Sequence, residues 1–170
     1  MHVVVLGAGV VGVTTAYYLY RHGCEVTVVD RASHVGDGAS FANAGQLSYS
    51  FTDSLAKPEF LAHIPALMLG RDEGVQVRLT PELVTWGPRF VGQCTRKHAR
   101  ENTLAVLKIA LRSAALMADL RDVLPFDFWH RKAGKLVLLS SRAEVGAAKT
   151  TLELKRSHGC DTQILSRAEA

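Results

Sequence analysis

Gly7-Ala8-Gly9-Val10-Val11-Gly12 is the pattern with the clearest chemical meaning in this chain, because it follows a short apolar run and opens a helical one. In such a G-x-G-x-x-G turn the first glycine permits the tight bend and the second removes the Cβ that would keep backbone away from a pyrophosphate. The third lets the helix pack closely. Free amides and the helix dipole then hold the negative charge. Val5, Leu6, Ala8, Val10 and Val11 carry the backbone past the ligand. Asp30 ends the next apolar run, roughly 20 residues on, where a carboxylate accepts hydrogen bonds from ribose hydroxyls. That acid disfavours a 2′-phosphate, although the adjacent Arg31 keeps the preference from being absolute. A glycine turn in a nucleotide-free α/β protein is the alternative, and it does not account for the placement of Asp30. These residues define a dinucleotide site and leave open whether the ligand carries a flavin or a nicotinamide.

No other pattern competes with this one. The histidines are scattered singly and read as surface, capping or structural residues. No nucleophile triad, metal-spaced His/Cys cluster or paired carboxylates are present, so no metal is expected and no catalytic residue can be named. Tyr49 is the one aromatic placed near a prospective active site; Trp86 and Trp129 read as core or interface anchors.

The elements that must position the glycine turn are legible. Val3–Leu6 is a β-branched run of the kind found in parallel strands. Val10–His22 is a helix stopped by Gly23, and Glu25–Val29 is a second strand, together a βαβ unit with a right-handed crossover. From Ser33 to Ser54 small and polar residues predict a long functional loop. Helical segments are expected around Pro58–Gly70 and Pro81–Lys97, each with proline near its start. The strongest helix is Asn102–Val123, with Leu104, Leu107, Leu111 and Ala114 on its apolar stripe and Arg112, Asp119, Arg121 and Asp122 in water. Gly134–Leu139 and Thr162–Leu165 read as strands, with a helix over Ala143–His158 and Gly159 at its C-terminal turn.

Composition narrows the classes. The 170 residues are 48% hydrophobic and 21% charged, a globular balance. The net charge of +4 is mild, and the densest basic run, Arg96-Lys97-His98-Ala99-Arg100, reads as a solvated helix end with weak membrane-surface attraction as the runner-up. No nucleic-acid-binding motif accompanies it. The three cysteines are far apart and unpaired in pattern, which fits small buried side chains in a reducing compartment.

Ala39-Ser40-Phe41-Ala42-Asn43-Ala44-Gly45-Gln46-Leu47-Ser48, taken with Met1–Arg31, resembles the FAD-dependent D-amino acid oxidase superfamily, and most closely its bacterial D-amino acid dehydrogenase (small subunit) branch. Val77-Arg78-Leu79, Trp86, Glu101-Asn102 and Gly134-Lys135-Leu136 are similar in order and spacing. The resemblance implies FAD as cofactor and oxidative deamination of D-amino acids. A hydride passes from Cα to flavin N5, and the imino acid is hydrolysed to a 2-oxo acid and ammonia. It further implies a quinone-type respiratory electron acceptor. The unpaired cysteines, and an N-terminus without the basic lead or cleavage site of a signal peptide, point to a cytoplasmic protein, and the mild basic charge leaves room for peripheral association at the inner face of the plasma membrane. Position by position, Gly7, Gly9 and Gly12 would face the pyrophosphate and Asp30 the adenosine ribose. Ser40, Asn43, Ala44, Gly45 and Gln46 would lie along the pyrophosphate and near the flavin, where small residues let backbone come close to a planar ligand.

The fold class expected is therefore α/β: a Rossmann-like FAD-binding βαβ unit with a flavin-proximal loop over residues 1–54, then the start of an α+β substrate domain over 55–170. Ser166-Arg167-Ala168-Glu169 has the form of a helix start just before the last residue, so the chain reads as a truncated front portion. Alone, it is expected to bind FAD poorly and turn over nothing. A glycine- or sarcosine-type amine oxidase of the same superfamily, and a non-catalytic dinucleotide-binding fragment, are the competing readings.

Overall fold

The structure is a computed structural model that describes residues 1–71 and 77–169. The chain forms two compact units, Met1–Leu47 and Ser48–Ala170.

In the first unit, β1 (His2–Leu6) and β2 (Glu25–Val29) pair in parallel, His2 opposite Glu25 through Leu6 opposite Val29. Helix α1 (Val10–Arg21) makes the crossover. Val3 and Val5 are half-buried while Val4 and Leu6 are exposed, the alternation expected of a strand covered on one face. The covered face is the one toward α1, because a Cβ built on Gly12 of that helix would lie 3.6 Å from Val5 Cγ1. The helix ends where Gly23 adopts φ +80°. The Gly23 and Cys24 amides then bond back to the Tyr20 and Leu19 carbonyls, satisfying groups the last turn would leave free. Residues 30–57 contain no helix or strand, as the small-residue composition predicts.

The second unit is helical among its described residues. The single helical stretch expected over Pro58–Gly70 is divided into two, α2 (Pro58–Leu61) and α3 (Ile64–Met68). Pro65 has no N–H to give to the Leu61 carbonyl, so the first helix cannot run on through it. Helix α4 (Pro81–Gln93) stops short of the expected Lys97, and α5 (Arg96–Val123) starts well before Asn102. The Thr95 hydroxyl accepts the His98 amide at 3.2 Å and sets that start, which makes the basic run the first turn of α5. Leu107 is 1% exposed, Thr103 is buried, and Leu104, Leu111 and Ala114 are half-buried, so the predicted stripe faces inward. Helix α6 (Arg142–Arg156) closes through a left-handed Gly159, with the Gly159 and Cys160 amides returning to the Arg156 and Lys155 carbonyls.

Two strand expectations are corrected. Neither Gly134–Leu139 nor Thr162–Leu165 is a strand, because neither has a ladder partner among the described residues, and an apolar run without pairing is only extended chain. Trp86 and Trp129 are also not core residues, at 55% and 82% exposure. Trp86 instead stacks on Phe90, which meets Phe60 edge-on. Ser166–Glu169 forms a turn, the Ser166 amide donating to Glu169 Oε2 at 2.8 Å and the Glu169 amide to the Ser166 carbonyl at 3.1 Å; Ala170 lies outside the described residues. All three cysteines are free, and Cys94 and Cys160 are buried.

A buried lysine holds the start of the second unit. Lys155 is 4% exposed, donates to the Ser50 carbonyl at 2.8 Å and pairs with Asp53 at 2.7 Å. The Ser54 amide donates to Thr103 Oγ1 at 3.0 Å. The segment Ser50–Ser54 is thus tied to α5 and α6 by polar contacts that the helical pattern of Lys155 does not advertise.

Candidate functional site

Every residue assigned to the dinucleotide site lies in the first unit, at one end of its two strands. Val5 and Leu6 bring β1 to the turn, and Gly7 leaves it with φ +101°, a conformation that L side chains rarely adopt. The Gly7 amide donates to the Val29 carbonyl at 2.7 Å, tying the turn to the end of β2. Gly12 touches the turn from the helix: a Cβ there would sit 1.7 Å from the Gly7 carbonyl oxygen. The helix therefore approaches β1 as closely as backbone allows.

Gly9 is different. Its φ of −74° and ψ of 179° suit any residue, and a Cβ would meet nothing nearer than Ser40 Oγ at 3.4 Å. The protein's own packing does not require glycine there. The space left beside the backbone is what a G-x-G-x-x-G turn offers a pyrophosphate. Val10 and Val11, the first residues of α1, are exposed beside it.

Asp30 is joined directly to the turn. One carboxylate oxygen accepts the Ala8 amide, and the other accepts the Ala32 amide at 2.8 Å. These bonds, Ala8 first and then Ala32, with smaller contributions from Arg31, hold the carboxyl below its ordinary value. Each oxygen keeps a further lone pair, so the carboxylate can still accept from a ribose hydroxyl. Arg31 is exposed beside it.

The small-residue loop returns to the same place. Ser40 Oγ accepts the Val10 amide at 2.9 Å. Asn43 folds its amide into the loop: Nδ2 donates to the Ser40 carbonyl at 2.8 Å and the Ala39 carbonyl at 3.3 Å. Its Oδ1 accepts the Gly45 amide at 2.7 Å. Gly45 has φ +61°, while Ala44 and Gln46 are exposed. Sequence reading missed Gly36, whose amide donates to the Ala8 carbonyl at 2.9 Å from a left-handed φ of +83°. A glycine between Val35 and Asp37 gave only a generic turn signal.

Tyr49 belongs to the second unit. Its hydroxyl is buried with no hydrogen-bond partner among the described residues, and desolvation raises its pKa. Among the described residues no cluster of His, Cys, Asp or Glu could hold a metal ion, and no helix is long and apolar enough to cross a membrane.

A glycine turn at the head of a helix, bonded to an acid at the end of the adjacent parallel strand, defines a dinucleotide-binding βαβ unit. Residues 2–170 match the DAO family, described as FAD dependent oxidoreductase, and the chain belongs to that family. It is 38% identical over 172 residues to D-amino acid dehydrogenase 2 of Ralstonia nicotianae, covering 99% of this chain and 40% of that protein. It is 39% identical to the D-amino acid dehydrogenase of Dechloromonas aromatica, over 95% of this chain and 39% of that protein. For the Paramagnetospirillum magneticum D-amino acid dehydrogenase the identity is 38%, over 94% and 38%. The chain thus spans about two-fifths of the relatives it matches. No solved structure matches it significantly.

Proposed function

We propose that this chain forms the FAD-holding front portion of a D-amino acid dehydrogenase. The observation that carries the cofactor reading is Gly9, a glycine that the chain's own packing does not demand, at the head of α1 and next to the Asp30-bonded turn. Gly7, Gly9 and Gly12 let the Ala8–Val11 backbone lie against the pyrophosphate, and Asp30 accepts from the adenosine ribose. The Ser40–Gln46 loop runs along the pyrophosphate toward the flavin, its small residues admitting close approach. FAD, when bound, supplies the acceptor, at flavin N5, for the hydride leaving the substrate Cα. The products are a 2-oxo acid and ammonia, and the electrons go on to a quinone-type acceptor.

The substrate reading rests on the activity for which the relatives are named. In the same reading residues 1–54 are the FAD-binding unit with its flavin-proximal loop, and residues 55–170 begin the substrate region. The protein works on the cytoplasmic side with peripheral attachment to the inner membrane. By itself this chain is expected to turn over nothing.

Two measurements test this. Titration of the 170-residue chain with FAD and NAD, followed by flavin fluorescence and calorimetry, is expected to show weak binding of FAD in preference to NAD. Binding of NAD alone would overturn the cofactor assignment. A chimera of residues 1–170 with the remaining three-fifths of the Ralstonia nicotianae enzyme is expected to hold FAD and lose its oxidised flavin absorbance with D-alanine under anaerobic conditions. A flavin-loaded chimera reduced by glycine or sarcosine but not by D-alanine would favour the sibling amine oxidase reading.

A further inference from the structure

Helix α1 starts on a residue that cannot cap it. Gly9 stands at the N-cap and has no side chain, so the Val10 amide has neither an intrahelical partner nor a local one. Ser40, thirty positions along the chain, supplies the acceptor at 2.9 Å. A serine does here for a distant helix what an N-cap serine does for its own. The bond also fixes where the Ser40–Gln46 loop begins, because it fastens the first residue of that loop to the head of α1.

Asn43 fixes the shape of the rest of the loop. Its three side-chain hydrogen bonds, to the Ala39 and Ser40 carbonyls and from the Gly45 amide, span the loop from one side to the other. They hold the chain through the left-handed turn at Gly45. All of these groups are exposed, so water competes for each of them and only their combination fixes the loop.

We infer that Ser40 and Asn43 are positioning residues: Ser40 tethers the loop to the first amide of α1, and Asn43 sets its curvature. They act on the cofactor through the backbone they arrange. The part of this that concerns cofactor affinity rests on the FAD reading above; the tether itself does not.

Amide exchange measured by NMR on the 170-residue chain without flavin tests the tether directly. Ser40→Ala is expected to lower protection of the Val10 amide by about three- to tenfold, the worth of one hydrogen bond, and Ser40→Thr to restore it. Asn43→Ala is expected to lower protection at Gly45 by a similar factor, whereas Asn43→Asp keeps the acceptor and retains it. Unchanged Val10 protection in Ser40→Ala, with β1 and β2 amides intact, would overturn the tether. FAD titration of the same proteins tests the consequence: a Kd raised about three- to tenfold in Ser40→Ala and within about twofold of the parent in Ser40→Thr. Lost protection with unchanged FAD affinity would overturn the positioning role. If the parent chain binds FAD too weakly to titrate, the same variants are titrated in the chimera with the Ralstonia nicotianae enzyme, where parental FAD affinity in Ser40→Ala overturns the positioning role; the exchange data decide the tether in either case.

Discussion

Gly9 and Gly12 belong to one motif, and the structure separates their reasons for being glycine. An alanine at position 12 would place Cβ 1.7 Å from the Gly7 carbonyl oxygen, half the 3.4 Å at which ordinary contact begins. The atom it meets is backbone, in a turn held by the Gly7–Val29 bond, so neither side yields cheaply. Overpacking of this kind costs about 3 kcal/mol, and replacing a helical glycine by alanine returns about 1 kcal/mol. The net expectation is a loss of about 2 kcal/mol, which at a urea m-value near 2 kcal/mol/M moves the unfolding midpoint down by about 1 M. Alanine at position 9 meets only Ser40 Oγ at 3.4 Å, in a backbone conformation open to any residue. It should leave stability within about 0.5 kcal/mol. The same alanine puts a methyl group where the pyrophosphate approaches, and FAD affinity should fall at least about tenfold, equivalent to about 1.4 kcal/mol. Urea unfolding by circular dichroism and FAD titration of both variants give the four numbers. An unchanged midpoint for Gly12→Ala would refute the packing argument, and parental FAD affinity in Gly9→Ala would refute the ligand argument.

The polar contacts carry three further expectations. Asp53→Asn leaves the Lys155 ammonium buried without its counter-charge and should cost about 3 kcal/mol, the low end for a broken buried pair because Asp53 is 46% exposed; Lys155→Met strands only a half-solvated carboxylate and should cost less, so the reverse order in urea unfolding would contradict this account. The Asp30 carboxyl is held low by the Ala8 and Ala32 amides, so its contribution is present above the unfolded value near 3.9 and fades as pH falls through the lower folded value. Asp30→Asn should therefore destabilise the protein at neutral pH and flatten the acid limb below about pH 4; an unaltered pH profile would count against that role. Ser141 Oγ accepts the Glu144 amide at 3.2 Å and Glu144 reaches back to the Ser140 amide, so Ser141→Ala should weaken the start of α6 by about 1 kcal/mol, visible as lost amide protection over Arg142–Val145.

The sequence by itself determined the βαβ unit, its glycine turn and the acid at Asp30. Those features come from local rules: period-2 and continuous apolar runs for strands, φ above zero for Gly7 and Gly23, and a carboxylate at the end of a strand. The stripe on α5 was equally legible, since it depends only on helical spacing. Tertiary structure decided what depends on partners far along the chain. It denied Gly134–Leu139 and Thr162–Leu165 a strand, because pairing cannot be read from one run alone. It buried Lys155 against Ser50 and Asp53, where helical pattern and charge would leave a lysine in water. It also joined Ser40 to the Val10 amide and Asp30 to the Ala8 amide, so that two residues marked by type alone became parts of one turn. The local code names the atoms of such a site, but only the folded chain brings each donor to its acceptor.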